Sequence, residues 1–149
     1  MPTDKDGVVT ITDVEVQEKF GGWVEGAYCG WHVGPGWQEI LYTLCKHIED
    51  TLKRYGLEKT DFIVAQVKEK FGGLRFYHEW ADMTERTEGI RNRAELAEED
   101  IIAQVRIAEQ ASVTTCEDCG KPGVLDNSNY WIKCRCPECK AEVRTRRQK

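Results

Sequence analysis

Hydrophobic and polar positions alternate most cleanly between Asp61 and Trp80, in the run DFIVAQVKEKFGGLRFYHEW. On an unbroken two-residue period, Phe62, Val64, Gln66, Lys68 and Lys70 share one face, and Ile63, Ala65, Val67 and Glu69 the other. After the glycines, Leu74, Phe76 and His78 oppose Arg75, Tyr77 and Glu79. This patterning on both sides of Gly72-Gly73 predicts a β-hairpin, with the glycine pair in the turn because both central residues can need positive φ. Upstream the period changes. Ile40, Leu41, Leu44, Cys45, Ile48, Thr51, Leu52 and Tyr55 recur at three- and four-residue spacing, which predicts an amphipathic helix stopped by Gly56. Downstream, Ile90, Ala94, Ala97, Ile101, Val105, Ala108 and Ala111 mark a long polar helix over roughly 85–113, capped by Thr84 or Thr87 and ~40 Å long. Its alanines allow close approach; packing along the sheet is the expectation, and pairing with a second copy the alternative.

The ends of the chain are less patterned. Residues 1–7 are polar, Val8–Thr12 predicts a short strand, and Glu15–Phe20 predicts a helical turn. Residues 20–37, FGGWVEGAYCGWHVGPGW, hold six glycines with Trp23, Tyr28, Trp31 and Trp37. Such a loop either wraps the core with its rings or presents them for stacking on a planar ligand. Gly34-Pro35-Gly36 leaves free N–H groups at the start of the first helix, a weak signal for an anion.

Composition narrows the class. A chain of 149 residues fits one domain with a small appendage, and no apolar run approaches a membrane span. With no secretory signal at the N-terminus, a soluble intracellular protein is expected. The net charge of −5 hides an asymmetry, since residues 130–149 balance at +5 and the rest at −10. An acidic body argues against a general nucleic-acid coat, and the Arg144–Lys149 tail leaves room for contact with nucleic acid or an acidic partner.

Five of the seven cysteines lie between Cys116 and Cys139. Cys116-x2-Cys119 and Cys136-x2-Cys139, sixteen residues apart, have the spacing of a zinc ribbon or a related knuckle. Each two-residue gap lets one tight turn aim two thiolates at the same ion. Cys134 could replace Cys136, but its reach to Cys139 breaks that spacing and leaves it outside the ligand set. Four protein ligands leave no site for water, so one structural Zn2+ is expected, folding a segment whose apolar residues are few: Val124, Leu125, Tyr130, Trp131 and Ile132. Catalytic groupings are sparse. The three histidines, His32, His47 and His78, join no Ser-His-Asp order, phosphate loop or HExxH motif, and His78 and Glu79 point to opposite faces of a strand. Cys45 and His47 read as a core thiol and a surface residue of the first helix.

The GPGW lead-in, VKEKFGGLRFY, the helix ending AEQAS, CEDCGKPG and WIKCRCPEC together resemble a group of small uncharacterised proteins of tailed bacteriophages and prophages. The resemblance covers most of residues 34–139. Where such proteins are expected to carry Thr, this chain has Cys134, which agrees with its exclusion from the ligands. The resemblance implies residence in the host bacterial cytoplasm and a role in host takeover or counter-defence. It implies no reaction.

The expected fold is therefore α+β: a small antiparallel sheet centred on a hairpin, packed by two helices, one long, with a C-terminal zinc ribbon-like knuckle. The expected divisions are a body over 1–113, a knuckle over 114–141 and a basic tail over 142–149. The expected function is non-enzymatic binding of a nucleotide-like molecule, with Lys68, Lys70 and Arg75 supplying charge and Tyr77, Trp31 and Trp37 supplying rings. The alternatives are a nucleic-acid-binding or transcription-modulating protein using the knuckle and tail, and a protein-binding inhibitor of a host factor.

Overall fold

The computed structural model describes residues 31–126 and 132–141, with Trp31 and His32 described by their backbone alone. The Val8–Thr12 strand, the Glu15–Phe20 turn, most of the tryptophan loop, Tyr130, Trp131 and the basic tail lie outside the described residues. A short strand β1 (Trp31–His32) leads through a 3-10 turn at Pro35–Trp37 into helix α1 (Gln38–Arg54). Strands β2 (Phe62–Lys70) and β3 (Gly73–Trp80) follow, then helix α2 (Glu88–Ser112) and the small strands β4 (Val124–Asp126) and β5 (Lys133–Arg135).

Both helices form where the apolar spacing predicts. α1 buries Leu41, Leu44, Cys45, Ile48 and Leu52, and Gly56 follows its end at φ 68°. α2 starts at Thr87, whose hydroxyl accepts the Ile90 N–H at 3.2 Å, and buries Ala94, Ala97, Ile101, Val105 and Ala108. These small residues bring α2 close against the hairpin and α1. Between the helices, Tyr55 donates to Asp100 at 2.9 Å and Gln104 to Thr51 at 2.9 Å. α2 also covers the free edge of β3, where Ser112 accepts the Leu74 N–H at 2.9 Å and Glu109 that of Phe76 at 3.1 Å. An edge otherwise open to another chain is thereby closed.

β2 and β3 pair antiparallel as predicted, and β1 adds two residues in parallel on the far side of β2. Two details of the hairpin differ from the alternation. Its turn residues are Phe71 at φ 55° and Gly72 at φ 82°, while Gly73 is already in β3. A two-residue turn with both φ positive matches the twist of the strands, although the left-handed region costs a residue with a Cβ about 1–2 kcal/mol. The second difference is a bulge: Val64 pairs with His78 but Gln66 with Tyr77, so Ala65 is an extra residue. An inserted residue exchanges the faces of everything beyond it. Phe62, Val64, Val67, Leu74 and Phe76 consequently share the core face with the helices.

Candidate metal centre and ligand-binding face

The chain after α2 folds back over the start of α1. Cys116 and Cys119 come from the turn that follows the helix, and Cys136 and Cys139 from the end of β5 and the helical turn at residues 137–141. Their four sulfurs lie within 4.8 Å of one another, with Cys119 Sγ and Cys136 Sγ 3.5 Å apart. The donor set is all thiol, and each pair closes a short turn of its own, so the cluster could hold a metal ion such as zinc. Backbone N–H groups also point at sulfur, as the Cys139 N–H does at Cys136 Sγ, 3.4 Å away. For Cys116, burial raises the thiol pKa, but backbone N–H bonds from Cys136, Cys119 and Asp118 outweigh it and hold the group below its ordinary value. Burial, with the Cys136 and Cys116 sulfurs beside it, pushes Cys119 up to about 11. As thiolates, four sulfurs this close would repel one another unless a cation lay among them.

Cys134 stands apart from the cluster. It is fully buried and belongs to the hydrophobic core. Val124 and Leu125, by contrast, are 71% and 44% exposed, so they are not an interior for the knuckle. What holds the segment, besides the cysteines, is its seat on the body. Gly36 donates its N–H to the Glu117 carbonyl at 2.7 Å, and Gly34 donates to the Glu117 carboxylate at 3.0 Å. A Cβ on Gly36 would stand 2.1 Å from the Cys116 carbonyl oxygen, closer than any side chain can fit. Lys133 bridges Glu69 of the hairpin and Glu117 of the knuckle. The anion expected at the start of α1 is therefore the chain's own Glu117.

The candidate ligand residues divide. Trp37 is a correction, because its ring is fully buried against α1 and its Nε1 donates to the Thr115 carbonyl at 2.8 Å. It is a core residue with its one polar atom satisfied. Trp31 pairs through its backbone with Val67, and its side chain is outside the described residues. Lys68, Lys70, Arg75 and Tyr77 come together on one face of the hairpin. On an unbroken alternation the two lysines would lie on the Phe62 face; the bulge at Ala65 carries them across. Lys68 pairs directly with Arg75, and Gln66 with Tyr77. The Lys68 ammonium stands 5.7 Å from the Tyr77 ring centre, and Tyr77 is 43% exposed. Among the described residues, Lys68, Lys70 and Arg75 form no ion pair. Like charges directly opposite on a sheet repel, so this face favours an anion.

His78 lies on the other face. It stacks on Phe62 and bonds the Glu98 carboxylate at 2.8 Å, which Trp80 Nε1 also approaches at 2.5 Å. His47 is on the exposed side of α1, beside a groove of about 340 Å³ between the helices. Sequence reasoning missed Phe71, a ring 64% exposed at the tip of the hairpin, with the Lys70 ammonium 5.6 Å from its centre. Its signal was the aromatic residue before the glycine pair.

Fold and site define an α+β protein built on a hairpin, with a four-cysteine cluster able to hold a metal ion. No protein-family model, curated protein or solved structure matches the chain. Among the described residues, no helix is long and apolar enough to cross a membrane.

Proposed function

We propose that the protein is a non-enzymatic binding protein with one structural zinc ion and a phosphate-recognising face formed by Lys68, Lys70, Arg75 and Tyr77. The observation that carries this reading is the Ala65 bulge, which groups three cations, none in an ion pair among the described residues, beside an exposed ring. Cations serve phosphate and a π-face serves a base, so a nucleotide-like molecule fits the chemistry. Four thiolates suit zinc, and a closed set of protein ligands assigns the ion to folding rather than catalysis. The phage resemblance supplies a setting, in which the protein sequesters a nucleotide signal of the host's defence in the bacterial cytoplasm.

Native mass spectrometry of the protein from expressing bacteria tests both parts, with one zinc per chain and a retained phosphate-bearing molecule expected. Arg75→Ala should remove the small molecule and keep the zinc. Retention of the molecule by that variant would sink the reading. A pairing of two copies has its own support: Leu96 and Ile107 on α2 are 53% and 66% exposed. At ~100° per residue their eleven-residue separation puts them on one exposed stripe of the helix, where Ile107 also borders the groove against α1.

A further inference from the structure

We propose that the outer face of the hairpin takes a short single-stranded oligonucleotide, held by two rings, Tyr77 on β3 and Phe71 at the tip. The inference rests on the reading of this face as a ligand surface and names the class of ligand.

Phe71 is the least economical residue in the hairpin. It occupies a left-handed conformation that Asn or Gly adopts readily, and it leaves most of an aromatic ring in water. It belongs to no part of the buried core, and the ring contact it makes is with the Lys70 ammonium, at 5.6 Å. A ring kept in water at the cost of a strained backbone is placed for an external contact.

The turn that carries Phe71 is also anchored. The Gly72 N–H bonds to Glu69 at 2.9 Å, and the same carboxylate is paired with Lys133. Gly72 is pressed on the knuckle, where a Cβ would come within 2.5 Å of Leu125 Cδ2. The ring is therefore presented on a fixed support, which spares a ligand part of the entropy of ordering it.

Spacing selects the class of ligand. Tyr77 is four strand residues from Gly73, where β3 leaves the turn, so its backbone stands on the order of 14 Å from the tip that carries Phe71. Lys68 and Arg75 lie between them, with Lys70 next to the tip. Bases at the ends and phosphates between are the matching arrangement. A mononucleotide engages one ring and leaves the other idle; linked nucleotides engage both. Paired bases in a duplex are already stacked and cannot offer their faces, so the strand is single. The −10 balance of residues 1–129 disfavours phosphate contact on the body beyond this strip and keeps the strand short.

The test uses the full zinc-loaded chain with two probes, hexathymidylate and thymidine monophosphate, by calorimetric titration. Wild-type protein should bind the hexamer at least about 10-fold more tightly, from a second stacked base. Its affinity for the hexamer should fall with salt at a log–log slope of about −2, for three phosphate contacts. Phe71→Asn suits the turn and should raise the Tm. It should also cut hexamer affinity by roughly 5- to 150-fold and so narrow the difference between the two probes. Equal binding of the two probes by wild type, or undiminished hexamer binding by Phe71→Asn, overturns the inference. If Arg75→Ala still abolishes monophosphate binding in that case, the parent reading stands; if wild type binds neither probe, both fall.

Discussion

The Glu117 carboxylate accepts the N–H of Gly34 at 3.0 Å, across 83 residues of sequence. Its neighbour Cys116 belongs to the four-thiol cluster, so the contact links that candidate metal centre to the start of α1. Removal of the metal should therefore be felt outside the knuckle. A chelator, or Cys119→Ala, should lower the Tm by about 10 °C or more and speed amide exchange at Gly34, Gly36 and Trp37. Exchange there unchanged on metal loss would show that the knuckle does not brace the helix.

Gly36→Ala tests the same junction without touching a ligand. Its Cβ would meet the Cys116 carbonyl at 2.1 Å and the Gly120 nitrogen at 2.6 Å. Overpacking of this kind costs about 1–3 kcal/mol, which corresponds to a Tm lowered by roughly 2–12 °C. A melting curve that overlays the wild type would place the knuckle further from α1 than described.

Cys134 and Cys136 are two residues apart and should behave as opposites. Cys134→Val keeps an apolar side chain in a fully buried position and should retain one metal ion per chain with a stability change under about 1.5 kcal/mol. Cys136→Val should lose the ion. Metal content measured by mass spectrometry decides, and loss of the ion from Cys134→Val would move that residue into the ligand set.

Glu49 offers a test against pH. Burial alone would raise its carboxyl, but the hydrogen bond and charge of Lys59, 2.6 Å away, with Lys53 and Lys46, outweigh burial and hold it below its ordinary value. A carboxyl lowered on folding adds stability above its unfolded pKa and loses it as pH falls through the folded one. Glu49→Gln should thus cost about 1–2 kcal/mol in urea unfolding at pH 7. The gap should narrow as pH falls below the ordinary glutamate value of about 4.3. A constant gap would assign the cost to packing.

The exposed stripe of α2 makes a separate forecast. Leu96 and Ile107 lie either side of the middle of the helix, so an antiparallel pair would match each with the other's copy. Arg106 would then face Glu95 and Glu99 of the partner. Sedimentation should show a dimer that Leu96→Asp with Ile107→Asp converts to monomer. A wild-type monomer at every concentration would remove pairing from the proposal.

The helices were legible because their apolar spacing is decided within a few residues, and the cysteine pairs because metal turns are local. The faces of β2 were not, since Ala65 carries no mark of a bulge and its placement follows from pairing with β3. Trp37 reads equally well as a stacking ring or a core ring until Thr115, 78 residues later, accepts its N–H. Phe71 was overlooked because two glycines beside it satisfy the turn on paper. Contacts between distant segments decided each of these.

The bulge at Ala65 has a consequence for how this surface can change. Ahead of it, β2 contributes Phe62 and Val64 to the interior; behind it, Lys68 and Lys70 face outward. Substitutions at Lys68 and Lys70 can alter charge and ligand preference with no effect on the buried Phe62, Val64 and Val67. A one-residue deletion between the halves cannot do so, because it would send both lysines inward together. Diversification of this hairpin is thus open to point replacement and closed to length variation.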